Sequence, residues 1–182
     1  MLVRLLAVLL LAAPAAGPRT FDVLPGSTLT YRLVHKFHTV TGVSRSVEGK
    51  ARLLPDGTVQ VAVRAPLDSF DSGNSNRDAH MREATGSGTN PYVAFKGVGR
   101  MNPPDHYPAD EKVSLRGELT LKTTKPVEVP TEVRFESPDR ASVKTTFPVS
   151  LEEHGVERPS LVFVKVDDKI EIDAQLTLGA AP

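Results

Sequence analysis

A short polar segment of the chain carries the groups that nucleophilic catalysis requires. Ser69 and Ser72 could each supply a hydroxyl nucleophile. His80 could act as the general base, with Asp78 orienting its imidazole. Asp78 and His80 lie two positions apart, however, and side chains at that spacing diverge on a helix. Neither serine lies in a nucleophile elbow. The residue types therefore permit a small hydrolase, but their spacing argues against one.

Three histidines suggest a second kind of chemistry, a bound metal ion. They are His35, His38 and His80. Residues three apart on a strand point to opposite faces, so His35 and His38 could share an ion only if the chain turned between them. The chain has no cysteine, which excludes thiol catalysis and any cysteine-bound metal. A metal-dependent enzyme is an alternative that this spacing disfavours, and no motif implies a cofactor.

Arg77 lies within the same polar segment and could recognise a ligand without reacting with it. Its planar guanidinium can clamp a phosphate or quinone oxygen, or it can pair with a carboxylate across the fold. Asp71 and Asp78 can cap the backbone or pair locally. The segment could therefore bind a polar head group.

The polar segment also has its own local structure. Residues 71–74 are turn formers, and Asn76 can cap a short helix over residues 77–84. Residues 86–88, Gly-Ser-Gly, end that helix. Outside the segment, the chain alternates apolar and polar residues with a period of two, which is typical of half-buried strands.

The alternating runs predict the fold class. Three runs precede the polar segment and five or six follow it. A closed antiparallel barrel hides the strand edges, and about eight strands leave an interior that fills with side chains or holds one small ligand. We predict an all-β closed barrel of about eight strands, with the helix and its loop inserted after the third strand. Residues 18–27 are predicted to be a lead rather than a strand.

Small residues on the predicted inward faces favour a hollow barrel. Gly97, Gly117 and Ala174 are examples, and only 5% of residues are aromatic, so large side chains to fill the space are scarce. Glycine in a strand also marks bends and bulges, so a packed structural barrel and a two-sheet sandwich stay open as alternatives. His106 and His154 fall in loops, where we expect them to be solvated.

Composition and the N-terminus restrict the partners and the location. The 22 basic and 22 acidic residues balance, which argues against nucleic acid as a partner. Residues 1–17 combine one arginine, a short apolar stretch and small residues, which predicts a cleavable signal peptide before a single domain over residues 18–182. We therefore expect a periplasmic or secreted protein. An N-terminal anchor is the alternative.

The polar segment resembles the hallmark of the YceI-like family. The resemblance is carried by Asp71-Ser72-Gly73-Asn74 and by the Arg77-Asp78-Ala79-His80-Met81 that follows. It extends over nearly the whole mature chain, with two departures. The family's acidic, Phe-rich stretch is replaced by small and polar residues over 83–89, and its Gly-Phe-Gly type turn before strand two is replaced by residues 39–43. The resemblance implies a lipocalin-like barrel in an exported bacterial protein. It also implies that the barrel binds a long polyisoprenoid or similar amphiphile and is not an enzyme.

An apolar tube suits such a ligand, because it removes a prenyl chain from water at about 0.8 kcal/mol per buried CH2. We expect a polyisoprenoid or isoprenoid quinone, held for carriage or storage in the cell envelope. A homodimer and transient contact with a membrane are left open. His35 could instead be tethered to Asp71 or Asp78, and for each apolar member ordinary core packing is the alternative. The predicted ligand-binding set is Leu33, His35, Val47, Val61, Arg77, His80, Phe95, Leu115, Leu119, Val133, Phe147, Ile172 and Leu176.

Overall fold

A computed structural model gives the fold of residues 17–35, 38–158, 160–161 and 164–181. The predicted signal peptide lies outside the described residues except for Gly17. Within these ranges, no helix is both long enough and apolar enough to cross a membrane.

The described chain is built almost entirely of strands, as predicted. One α-helix, α1, and one turn of 3-10 helix at Leu67–Ser69 interrupt them. The strands are β1 (Arg19–Val23), β2 (Thr28–His35), β3 (His38–Ser44), β4 (Glu48–Leu53), β5 (Thr58–Pro66), β6 (Tyr92–Arg100), β7 (Ala109–Thr120), β8 (Thr124–Ser137), β9 (Arg140–Ser150), β10 (Ser160–Leu161), β11 (Val164–Lys165) and β12 (Lys169–Ala180), with α1 at Ser75–Thr85.

Eight of the strands form a closed antiparallel ring. Their order is β1-β4-β5-β6-β7-β8-β9-β12, and β12 pairs back onto β1. The β2–β3 hairpin lengthens the ring, because β2 pairs with the same edge of β12 as β1 does. The predicted closed barrel of about eight strands is confirmed, and the two-sheet sandwich is wrong.

The N-terminal lead is a strand, which corrects the prediction for residues 18–27. β1 places Phe21 opposite Ala180 of β12 and Ala51 of β4, so it closes the ring. The turn before β2 is fixed by the buried Ser27, whose hydroxyl donates to the Leu24 carbonyl at 2.7 Å. Five residues are too few for the alternation to be recognised in sequence, and the flanking prolines suggested a loop instead.

The position and bounds of the helix also differ from the prediction. α1 follows the fifth strand rather than the third, because β1 was not predicted and because the second predicted run, over residues 43–53, joined the end of β3 to β4. The helix begins at Ser75, two residues earlier than expected, since Asn74 rather than Asn76 is the N-cap. The Asn74 side chain accepts a hydrogen bond from the Arg77 N–H at 3.0 Å. Gly86 ends the helix in the left-handed conformation, as predicted.

The alternation changes phase between β3 and β4. His38 and Val40 of β3 face the interior, and so do Ala51 and Leu53 of β4. The loop at residues 45–47 separates these even-numbered and odd-numbered sets. Val47 was predicted to line the interior, but it is not among the residues that do so, because it lies in this loop, where the two-residue period is broken.

The outer face of the barrel carries cross-strand ion pairs. Examples are Arg32 with Glu171 at 2.5 Å and Arg134 with Asp110 at 2.8 Å. Both pairs join neighbouring strands and are exposed, so each contributes at most about 1 kcal/mol to stability. The equal numbers of basic and acidic residues therefore reflect the pairing of opposite charges on the solvated side of the strands.

Candidate ligand-binding cavity

The barrel encloses a cavity of about 560 Å³. Every strand of the closed ring contributes apolar side chains to its walls. Asp and Glu are absent from the lining of the described barrel. The interior is therefore hollow and apolar, and the packed barrel is not the arrangement that the structure has.

Most of the predicted ligand-binding residues lie on this lining. Val47 does not, since it lies half-buried in the loop before β4 and packs against the core from there. The side chain of His35 lies outside the described residues, so its predicted tether to Asp71 or Asp78 stays a prediction. The predicted residues that line the cavity are Leu33, Val61, Arg77, His80, Phe95, Leu115, Leu119, Val133, Phe147, Ile172 and Leu176.

One end of the cavity is closed by two aromatic rings. Phe21 of β1 and Phe135 of β8 meet edge to face across the barrel, with ring centroids 6.3 Å apart. The Arg19 guanidinium lies over both rings, at 5.9 and 5.7 Å from their centroids. Its Nη1 donates to the Tyr107 hydroxyl at 2.5 Å. We call Phe21 and Phe135 the floor of the cavity.

The opposite end lies between α1 and the β2–β3 hairpin, and we call it the mouth. Leu33 and Val40 are half-buried there, whereas His38, Arg77 and His80 are exposed; all five line the cavity. His38, Arg77 and His80 thus place polar groups of the lining at the end where solvent enters. An amphiphile could place its apolar part inside and its head group at the mouth.

Backbone and hydroxyl hydrogen bonds hold the polar segment at the mouth. Val43 of β3 and Asp71 exchange two backbone hydrogen bonds, of 3.0 and 3.1 Å. The hydroxyls of Ser44 and Ser69 are 2.7 Å apart, with Ser44 fully buried. At the other end of the helix, Lys122 Nζ donates to the Ala84 carbonyl at 3.4 Å. The mouth therefore keeps a fixed shape.

The residues of α1 that close part of the mouth have the spacing of a single helix face. Its members on the lining are Arg77, His80, Met81, Ala84 and Thr85. These positions follow the i, i+3, i+4 pattern of one helix face. Only Arg77 and His80 were predicted from the sequence to contact the ligand. Met81 and Ala84 could have been found from the same spacing, although a face of such mixed polarity is a weak signal.

A buried carboxylate organises the start of α1. Asp78 is 7% exposed and accepts hydrogen bonds from the Ser72 N–H at 3.1 Å and the Ser72 hydroxyl at 2.5 Å. Arg77 donates from Nε to the Ser72 hydroxyl at 3.0 Å and from Nη2 to the Ser72 carbonyl at 2.7 Å. Asp71 accepts from the Gly73 N–H at 2.7 Å. Each of Asp71 and Asp78 therefore accepts a hydrogen bond from a nearby backbone N–H, which confirms the prediction that they act locally.

These contacts differ from the arrangement that a Ser–His–Asp hydrolase needs. Asp78 bonds the Ser72 hydroxyl directly, and the Ser69 hydroxyl donates to the Pro66 carbonyl at 2.6 Å. Among the described side chains, His80 makes no hydrogen bond to either serine or to Asp78. Nor do three His, Asp or Glu side chains cluster around a common point in the part of the chain that the structure describes.

Tyr31 lies at the mouth and was not predicted from the sequence to contact a ligand. It lies on the inward phase of β2, lines the cavity and packs against Phe70 with ring centroids 5.7 Å apart. Gly42 on β3 leaves room for it, since a Cβ there would lie 2.3 Å from the tyrosine ring. The alternation of apolar and polar residues along β2 predicts that the Tyr31 side chain points inward, but not that it lies beside Ser72 and Asp78.

Tyr31 should make the stability of the barrel depend on alkaline pH. Burial raises the pKa of its phenol above the ordinary 10.0, and the Asp78 carboxylate raises it further, while Arg77 and a hydrogen bond with Ser72 partly oppose the shift. The folded state thus holds the phenol proton more tightly than the unfolded state does. This contribution to stability is complete below pH 10.0 and is lost as the pH rises from there through the folded pKa.

We expect Tyr31→Phe to remove that part of the pH dependence. Urea unfolding at a series of alkaline pH values would measure it, and tyrosinate absorbance is a clean second signal because the chain has no tryptophan. An unchanged slope of stability against pH in Tyr31→Phe would contradict the prediction.

His154 is buried, which corrects the prediction that it is solvated. It is 2% exposed, and its Nδ1 lies 2.9 Å from the Thr123 carbonyl. The Thr123 N–H donates in return to the His154 carbonyl at 3.1 Å. His154 therefore fastens the turn after β9 to the turn before β8, and its role is structural. His106 is exposed, as predicted.

Comparisons with known proteins agree with this architecture. The model of the YceI-like domain matches residues 23–178. No curated protein is significantly similar in sequence. A polyisoprenoid binding domain from Saccharophagus degradans, implicated in plant cell wall breakdown, superposes with a TM-score of 0.71 at 16% identity, over 88% of this chain and 98% of that one.

Two further solved structures have the same fold. Burkholderia cenocepacia BcnA has a TM-score of 0.66 at 18% identity, covering 83% of this chain and 95% of its own. A Campylobacter jejuni YceI protein has a TM-score of 0.62 at 12% identity, covering 82% and 89%. At identities of 12–18%, these superpositions establish a shared fold and nothing further.

Proposed function

Because this chain belongs to the YceI-like family, we propose that its barrel binds a long amphiphilic lipid, a polyisoprenoid or an isoprenoid quinone. One observation carries the proposal: a continuous apolar cavity is closed by aromatic rings at one end and bordered by polar side chains at the other. The name of the Saccharophagus relative as a polyisoprenoid binding domain supports this choice of ligand class.

The apolar walls supply the affinity. Each CH2 group that moves from water into such a cavity contributes about 0.8 kcal/mol. Ordering the flexible chain and losing its freedom of motion offset part of that gain. A ligand with many apolar carbons and few polar atoms therefore gains most from this site. A prenyl chain also suits walls of branched aliphatic side chains, which its methyl groups can pack between.

The mouth is suited to a polar or anionic head group. Arg77 is fixed by its two hydrogen bonds to Ser72, which use Nε and Nη2. His38 and His80 lie on the same lining. With the Tyr31 hydroxyl, these groups can donate hydrogen bonds to a quinone or phosphate oxygen. We assign recognition of the head group to them.

Carriage or storage of the lipid is the biological role that we propose. The sequence of residues 1–17 indicates a signal peptide, and export would deliver the barrel to the periplasm or beyond the cell. A water-filled compartment between membranes is where a prenyl lipid needs a protein to cover it. Transient contact of the mouth with a membrane would let the lipid enter, and pairing of barrels along a strand edge is compatible with the same role.

Identification of the co-purifying lipid tests this proposal. The protein would be purified from its native host without detergent, extracted with organic solvent and examined by mass spectrometry. We expect a prenyl lipid in the extract, and we expect an added long-chain isoprenoid quinone to raise the melting temperature of the delipidated protein. Absence of prenyl lipid together with an unchanged melting temperature would overturn the proposal.

A further inference from the structure

The floor is a fixed stop at the end of the cavity. Phe21 and Phe135 are 3% and 4% exposed, and they belong to β1 and β8, which are not neighbours in the ring. Their contact therefore spans the barrel rather than following one wall. Arg19 lies against both rings and is bonded to the Tyr107 hydroxyl and, at 3.4 Å, to the Pro138 carbonyl. A chain entering from the mouth must stop at these rings.

The volume above the floor limits how much hydrocarbon fits. A hydrocarbon carbon occupies about the same volume as one water molecule does in the liquid, roughly 30 Å³. The cavity of about 560 Å³ therefore holds on the order of 20 carbons. That is a chain of about four isoprene units, whereas the lipids of the proposed class include much longer chains.

We propose that Phe21 and Phe135 set the length of prenyl chain that the barrel covers, at about four isoprene units. The inference rests on the proposed function, since it concerns how the same cavity selects among prenyl lipids. Carbons beyond that length stay outside the cavity, beyond its mouth.

Affinity should follow chain length in two phases. While the chain is shorter than the cavity, each added isoprene unit should tighten binding at least about tenfold, because its carbons leave water. Once the chain reaches the floor, further units add carbons that stay near the mouth, and the dissociation constant should level off. The length at which it levels off measures the distance from mouth to floor.

A series of prenols tests the inference on the delipidated full-length protein. Geraniol, farnesol, geranylgeraniol and solanesol contain two, three, four and nine isoprene units, and their dissociation constants can be compared by displacement of a fluorescent fatty acid. We expect tightening up to geranylgeraniol and less than about tenfold further gain for solanesol. Phe135→Ala removes one ring of the floor and should increase the preference for solanesol over geranylgeraniol at least about fivefold.

Phe147→Ala is the matched control, because Phe147 is also a phenylalanine of the lining but lies on the wall, on β9 opposite Ile172. It should weaken the binding of all prenols similarly and leave the preferred length unchanged.

If Phe135→Ala does not fold, Phe135→Leu replaces it, with folding checked by circular dichroism. Steady tightening through solanesol, or an equal shift in Phe147→Ala, would overturn the inference while leaving lipid binding intact. Failure of every prenol to bind wild-type protein would overturn the proposed function itself.

Discussion

Ala51→Phe should weaken prenyl-lipid binding by at least about 100-fold while the barrel stays folded. Ala51 lies on β4 between Phe21 and Val61, lines the cavity and is only half-buried, so the lumen has room beside its methyl group. A phenyl ring there would displace about six ligand carbons, each contributing about 0.8 kcal/mol when buried. Not all of that energy is lost, since the new ring still contacts the rest of the chain.

Ala62→Phe provides the matched control for this prediction. Ala62 lies on the neighbouring strand β5, opposite Lys50, and is exposed on the outer face. The same substitution there should leave the dissociation constant of geranylgeraniol within about twofold of wild type, since it changes only the solvated surface. Titration of both variants, with their melting curves, would measure the difference. Equal affinity in the two variants would show that the lipid is not inside the barrel.

Gly117→Ala should destabilise the barrel by about 3 kcal/mol or more. A Cβ at Gly117 would lie 2.0 Å from the Lys96 carbonyl oxygen and 2.5 Å from the Gly97 Cα, both in the backbone of β6. Gly97 and Gly117 are opposite each other in the β6–β7 pair. Backbone atoms cannot rotate away as a flexible side chain can, so the two strands would have to separate and lose ladder hydrogen bonds.

Urea unfolding would measure this change, with Gly88→Ala as the control. Gly88 follows α1 and has no atom within 4 Å of the position that a Cβ would take. Its substitution should change the free energy of unfolding by less than about 0.5 kcal/mol. A Gly117→Ala midpoint equal to that of wild type would contradict the close approach of β6 and β7. The slope of the urea dependence should be similar in all three proteins, which would show that the denatured state is unchanged.

The close approach of Gly97 and Gly117 also revises one reason for expecting a hollow barrel. A side chain at either position would collide with atoms of neighbouring residues, so these two glycines do not border empty space. Gly97 lies against the ring of Phe95, and a Cβ there would be 2.4 Å from that ring's Cζ. The hollow is instead bordered by alanines such as Ala51 and Ala174, together with aliphatic side chains. The prediction of a cavity was confirmed. Of the small residues that supported it, however, only some border the cavity, and the others mark a close approach of neighbouring atoms.

The sequence by itself determined the local features. Alternation with a period of two predicts which side chains of a strand share a face, and it held within each regular strand, as Leu115, Leu119 and Val133 show. Gly86 gave the end of α1 correctly because a helix terminates through its nearest residues. Closure of the barrel followed from the number of strands, since strands with one apolar face need both burial and covered edges.

Only the tertiary structure decided the features that join distant parts of the chain. Phe21 and Phe135 become the floor because ring closure places β1 across from β8, which no local pattern records. His154 is buried because the turn before β8 offers it a carbonyl. Val47 is absent from the lining because it lies in the three-residue loop before β4, where the two-residue period of a strand does not hold. Periodicity is a property of neighbouring residues, whereas the ends of a cavity depend on which strands the closed ring brings face to face.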